Sequence, residues 1–278
     1  MTSMAAQLNR DYAIGLARAF AGAILFGLPL LMTMEMWAIG LHIAPARLLL
    51  FLLFNFAVLV VLSRFGGFER TATLTEDVLD ALAAQAVGMI ASIAILALFG
   101  LLRLDLPFDA ALGQVAIQCV PASFGAMIAR KQLGSGEGDE DESLAHRSAG
   151  YAGQLFLMLA GALFFAFNVA PTEEMILIAY KMSAGHALAL VLASLVLLHI
   201  LVFTVGLAGQ EAGPEGAAPL RLFLVFTVPG YAIALLVSLY VLWTFGSLDG
   251  QDSFTIARIV VVLGFPAATG AAIARLVV

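Results

Sequence analysis

The sequence predicts an all-α integral membrane protein of eight transmembrane helices, arranged as two four-helix repeats. Three observations carry this: the density of apolar residues, their division into span-length runs, and two motifs that occur once in each half. Of 278 residues, 62% are hydrophobic and only 12% charged, too few polar side chains to cover a water-exposed surface. The runs approach the ~20 residues that a helix needs to cross hydrocarbon. The short alternating segments of a β-barrel do not occur.

The elements follow in order. Residues 1–18 read as a cytoplasmic N-terminal segment carrying Arg10 and Arg18. Spans are expected at 19–41, 46–65, 78–102 and 108–130, which form the first repeat, 19–130. An acidic, flexible cytoplasmic linker is expected over 131–153, where "QLGSGEGDEDESLAHRSAG" is too polar to bury a core. Its acids Asp139, Glu140, Asp141 and Glu142 lack the alternating ligands and turn glycine of an EF-hand loop. Spans resume at 154–180, 185–207, 219–245 and 255–277, the second repeat, 154–277. The one cysteine, Cys119, excludes an internal disulfide.

Basic residues set the orientation. Arg10, Arg18, Arg64, Arg70, Arg130, Lys131, Arg147, Arg221 and Arg275 fall on one side, nine against the four on the other, Arg47, Arg103, Lys181 and Arg258. The positive-inside rule then puts both termini in the cytoplasm. Trp37 and Trp243 fall at outward-facing helix ends, where amphipathic rings favour the interface.

The duplication is direct. "AGAILFGLPLLMTMEM" (Ala21 to Met36) and "AGALFFAFNVAPTEEM" (Ala160 to Met175) share seven of sixteen positions without a gap. "PASFGAMIAR" (Pro121 to Arg130) and "PAATGAAIAR" (Pro266 to Arg275) share seven of ten. The offsets are 139 and 145 residues. Four spans per repeat insert both halves the same way up, so a parallel repeat with a pseudo-twofold axis along the membrane normal is expected. The first run resembles a signal peptide in its basic flank, but its twin in the second half argues that it is retained.

The first motif supplies the candidate site. Glu35 and Glu174 match, as do Thr33 and Thr172. A charge inside a span costs at least about 2.5–3.5 kcal/mol and tends to face a cavity or a partner. Pro29 and Pro171 each precede a carboxylate closely, so both helices are expected to kink or break there, freeing carbonyls. Carbonyls and carboxylates together make an oxygen-rich cation site, with Glu35 and Glu174 as the metal-binding pair. Glu173, Thr33, Thr172 and Asn168 complete the expected ion-binding set. Glu173 has no acidic twin, because Met34 stands opposite it. The competing reading makes Glu35 and Glu174 ordinary interfacial acids just outside the hydrocarbon.

Other polar residues have plainer readings. Ala122, Gly125, Ala126 and Ala129, with Ala267, Gly270, Ala271 and Ala274, suit close helix packing. Arg130 and Arg275 suit snorkelling to the cytoplasmic interface. Asn55, Gln85, Gln114, Gln118, Asn168 and His199 stand singly in spans and are expected to bond neighbouring helices. No enzyme is indicated. The adjacent glutamates are reminiscent of membrane CAAX-type proteases, but Ile178 follows where their motif has arginine. Three good metal ligands cannot be assembled, and no cofactor fingerprint or basic nucleic-acid surface appears.

The sequence resembles an uncharacterised family of bacterial integral membrane proteins, through its paired Thr-x-Glu-Met and Pro-Ala-x-x-Gly-Ala motifs. That resemblance implies residence in the inner membrane and names no substrate. The expected function is that of an ion channel or transporter, cations favoured, with a site shared by the duplicated glutamates. Two neighbouring carboxylates cannot both ionise cheaply, which suits a divalent cation or its exchange for protons. The alternative is a non-transporting membrane scaffold or sensor. Expected partners are the lipid bilayer, a small cation and protons, without nucleic acid; a homo-oligomer is compatible with this reading.

Overall fold

In lipid, a chain must satisfy its backbone N–H and C=O groups internally, so apolar spans become helices. The computed structural model describes residues 2–66, 73–103, 105–133, 150–203 and 219–277. Among these every regular element is helical, and eight helices are long and apolar enough to cross a membrane. The chain divides into two compact units, residues 1–142 and 143–278.

The first unit comprises α1 (Thr2–Leu31), α2 (Met34–His42), α3 (Pro45–Gly66), α4 (Leu74–Leu98) and α5 (Phe108–Leu133). Helix α5 is its centre, largely buried and packed by each of the other four. Backbone meets backbone where side chains are absent. A Cβ on Gly125 of α5 would strike the carbonyl oxygen of Gly22 on α1, and one on Gly22 would strike Ala129. A Cβ on Gly40 of α2 would lie 2.6 Å from the Gln114 Cα.

The second unit comprises α6 (Tyr151–Val169), α7 (Glu173–Lys181), α8 (Ala184–Phe203), the single turn α9 (Pro219–Leu222), a π-helix (Phe223–Thr227), α10 (Val228–Thr244) and α11 (Ser253–Val277). Helix α11 is packed by α6, α8, α10 and α7. Here a Cβ on Gly270 would strike the Gly161 carbonyl, and one on Gly161 would strike Ala274. The small residues of the Pro-Ala-x-x-Gly-Ala helices thus do what the sequence suggested: Gly125 and Gly270 admit a neighbouring backbone.

Helix ends show how local sequence stops each span. Helix α4 starts in a capping box, the Thr73 hydroxyl accepting from the Glu76 N–H and the Glu76 carboxylate from the Thr73 N–H. It ends at Gly100, whose φ of 69° a β-carbon would disfavour. The Leu101 N–H reaches back to Leu96 O (2.9 Å) and the Gly100 N–H to Ala97 O (3.0 Å), a Schellman closure. Helix α10 ends identically at Gly246, through Ser247 to Leu242 and Gly246 to Trp243.

The π-helix has a local cause. Pro229 has no N–H and its ring crowds the carbonyl of Val225, four residues earlier. The turn widens: the Val228 N–H bonds Phe223 O, five residues back. The Tyr151 hydroxyl of α6 donates to the freed Val225 carbonyl at 2.8 Å.

Two of the expected spans are interrupted. The runs 19–41 and 154–180 are not continuous spans: α1 stops at Leu31 and α6 at Val169, and α2 and α7 follow as separate nine-residue helices. The apolar window Ala13–Leu31 spans 19 residues. At ~1.5 Å per residue that is about 28 Å, enough alone to cross hydrocarbon, whereas α2 measures about 14 Å. Helix α5 also continues to Leu133, into the expected linker; residues 134–149, with the acidic quartet, lie outside the described residues.

The glycine contacts are testable. Gly125→Leu or Gly270→Leu forces a side chain into a carbonyl and is expected to cost about 1–3 kcal/mol or more. Gly15→Ala, with nothing within 4 Å of the added carbon, should be neutral. Thermal unfolding followed by fluorescence-detected chromatography distinguishes the two classes.

Candidate functional site: two interrupted helices

Each unit interrupts its first spanning helix with the same chemistry. At the end of α1 the Thr33 N–H bonds Leu30 O (3.1 Å), and the Thr33 hydroxyl donates to that same carbonyl at 2.8 Å. At the end of α6 the Thr172 N–H bonds Val169 O (3.1 Å), and its hydroxyl donates there at 2.9 Å. Both threonines have extended backbone, φ −85° and −76°, and occupy the position before a new helix. Neither caps that helix with its side chain. Their hydroxyl protons instead tie off the helix just ended, leaving the oxygen lone pairs for another partner. Pro29 lies inside α1, two residues before its end, whereas Pro171 lies in the break itself.

The glutamates stand in the first turn of the new helix, where the positive helix end favours a carboxylate. Glu35 is half-buried, and Glu173 and Glu174 are exposed. Among the described residues none of the three has an ion-pair or hydrogen-bond partner. The methionine after each matched glutamate is core: Met36 and Met175 are buried. The shared Thr-x-Glu-Met signature therefore reads as a tie, a first-turn acid and an anchor. Asn168 is not brought to these groups by any bond; its amide donates to Phe164 O one turn back at 2.7 Å.

The first unit adds an element that the second lacks. From α5, the Gln118 amide donates to Leu30 O, the carbonyl at the interruption, and the Gln114 amide to Trp37 O of α2, each at 3.4 Å. Both side chains are buried, and neither amide oxygen has a hydrogen-bond partner among the described residues. The buried Asn55 amide donates to Ser123 Oγ (3.1 Å), which leaves its oxygen unpartnered too. Each orphaned acceptor costs about 1–3 kcal/mol. At the offset that matches Pro121 with Pro266, the second unit has Ile259 and Leu263 in place of Gln114 and Gln118, both fully buried.

Other polar groups settle into pairs. The buried Asp77 carboxylate accepts from Arg64 Nε at 2.7 Å, and Ser63 donates to Asp80 at 3.1 Å, joining α3 to α4. In the second unit His199 Nδ1 lies 2.9 Å from the Thr227 hydroxyl, in the π-helix. Phe203 and Phe223 flank the imidazole, and the Arg275 guanidinium lies over Phe226 (4.4 Å) and Phe203 (5.0 Å). Arg275 thus rests on aromatic faces; the Arg130 side chain is outside the described residues. Arg258 bonds Met182 O (2.9 Å) at the end of α7. In the loop before α11, the bond from the Thr255 hydroxyl and those from the Thr255 and Phe254 N–H groups hold the Asp252 carboxyl below its usual range. The expectation that lone polar residues bond within the helical bundle holds for Asn55, Gln114, Gln118 and His199. At Gln85 only the backbone is engaged here, its carbonyl accepting the Cys119 thiol at 3.3 Å. The π-helix was not anticipated, although Pro229 in an apolar run was its available signal. Among the described residues no cluster of three or more His, Cys, Asp or Glu side chains is placed to hold a metal.

The profile of the family described as "Putative integral membrane protein (DUF2391)" matches residues 15–278. The chain belongs to this family. It is therefore an integral membrane protein, and its long apolar helices contact the lipid bilayer. Comparison with curated proteins and with solved structures finds no match.

The π-helix gives a stability test. Tyr151→Phe removes the donor to Val225 O while keeping the ring contact with Phe226. The expected loss is about 0.5–1.5 kcal/mol, read as a lower unfolding temperature in detergent.

Proposed function

We propose that the protein is a cation channel or transporter of the inner membrane, with Glu35 and Glu174 as its charged ligands. The observation that supports this reading is the interruption of a spanning helix directly before each glutamate, with no counter-ion for either carboxylate among the described residues. Glu173, Thr33, Thr172 and Asn168 supply further oxygens, and Pro29 and Pro171 keep the helices from running through. The threonine oxygens retain acceptor capacity, because their protons are spent on carbonyls of the preceding turn. Two units of like design fit a duplicated four-span repeat inserted the same way up, with protons as the exchanging or competing ion. No reaction is assigned to the site.

Substitution of each glutamate by glutamine tests the proposal. Glu35→Gln and Glu174→Gln should insert and fold normally while cation flux in proteoliposomes falls at least about tenfold, and Glu173→Gln should do less. The double variant should be little worse than either single one if the pair acts as a unit. Flux of Ca²⁺, Na⁺ and K⁺, measured in turn against pH, is the assay. Unchanged flux in both single variants, or no flux in the unaltered protein, would leave a scaffold or sensor as the better reading.

Orientation is a separate proposal, resting on the basic-residue bias. Reporter fusions after residues 70, 140 and 212 should all report cytoplasm. A periplasmic signal at 140 would overturn both the topology and the parallel repeat.

A further inference from the structure

We propose that the first unit holds a binding site for a dehydrated monovalent cation, formed by Gln114 and Gln118 of α5 against the α1–α2 interruption. The two glutamines are four residues apart on α5, so they share one face of it. That face meets the interruption, because their amide nitrogens reach Leu30 O and Trp37 O on either side of it. Those carbonyls accept only, which fixes the amides with nitrogen toward the backbone; exchanging oxygen and nitrogen would set oxygen against oxygen. The amide oxygens are then the free ends, in residues 2% and 0% exposed, with no donor for either among the described residues.

An unmatched acceptor in a buried site calls for a donor or a cation. Packing does not demand these amides, since Ile259 and Leu263 fill the matching positions of the second unit. The site's chemistry narrows the occupant. Amide and backbone oxygens repel an anion. A divalent ion holds its water tightly and wants carboxylates. A monovalent cation is bound well by neutral oxygens at an interrupted helix, whose carbonyl end is the negative pole. The Thr33 hydroxyl oxygen and the end of α1 lie at the same interruption and can complete the shell. This inference does not depend on Glu35 or Glu174, nor on transport.

The test is thermal unfolding of the full chain in lipid nanodiscs, with NaCl, KCl or choline chloride at one ionic strength. Binding to the folded state raises the unfolding temperature with ligand concentration. Na⁺ or K⁺ should therefore raise it saturably by a few degrees over choline. The shift should vanish in the double variant Gln114→Ile/Gln118→Leu, which takes the side chains of the second unit, and persist in the neutral control Gly15→Ala. Should the double variant not fold, the near-isosteric Gln118→Met alone should weaken the shift. The same unfolding temperature in all three salts would overturn the proposal and leave ordered water as the occupant. A shift of equal size in the unaltered chain and in the variants at Gln114 and Gln118 would overturn it as well.

Discussion

Backbone contact between α1 and α5, and between α6 and α11, is the constraint on which each unit rests. Lipid offers no hydrophobic drive for helices to associate, so close van der Waals contact must supply it. Glycine at 22 and 125, and at 161 and 270, permits that contact. In the first unit the contact also sets a register. Moving along α1 from Gly22, the partners on α5 run backwards: Gly125 for Gly22, Ala122 for Gly27, Gln118 for Leu30, and then Gln114 for Trp37 of α2. The helices are antiparallel, and the pairing fixed at the glycines delivers the glutamines to the interruption. A bulkier residue at 22 or 125 would therefore disturb polar contacts about two turns away.

The eight long helices were legible because a membrane span needs only length and apolarity, and both are local properties. The small-residue seams were legible too, since a Gly-Ala-x-Ile-Ala stripe has few uses in lipid other than close approach. What hydropathy concealed was the interruption. Residues 34–42 hold only Glu35 and His42 as ionisable groups among largely apolar side chains, so a long averaging window runs through Thr33. The break is a matter of hydrogen bonds, repaired by one threonine proton at Leu30 O and another at Val169 O, and composition does not register it. The prolines did signal it, though they mark the place only to within a turn: Pro29 sits inside its helix and Pro171 past the end of its own. The same holds for Pro229, whose missing N–H is absorbed as a π-turn and a tyrosine bond instead of a break.

The two units differ in what they bury. The first is polar around α5, with Asn55, Gln114, Gln118 and the Arg64–Asp77 pair inside or at its ends. The second has Ile259 and Leu263 beside its interruption and gathers aromatic rings under Arg275. If folding alone were at stake, the apolar solution would serve both halves, because each unpartnered amide oxygen carries a penalty of about 1–3 kcal/mol. The glutamates bear on this from the other direction. A first-turn acid gains about 0.3–1 kcal/mol from the helix end, and that suffices to account for an exposed glutamate at 173 or 174. It does not specify which of those positions is acidic, since Glu173 has the same benefit. Yet the acid that matches Glu35 is Glu174, seated directly before the buried methionine, with the tying threonine two residues ahead. The helix-end field explains why an acid is tolerated there; it does not explain why threonine, glutamate and methionine keep the same spacing at both interruptions.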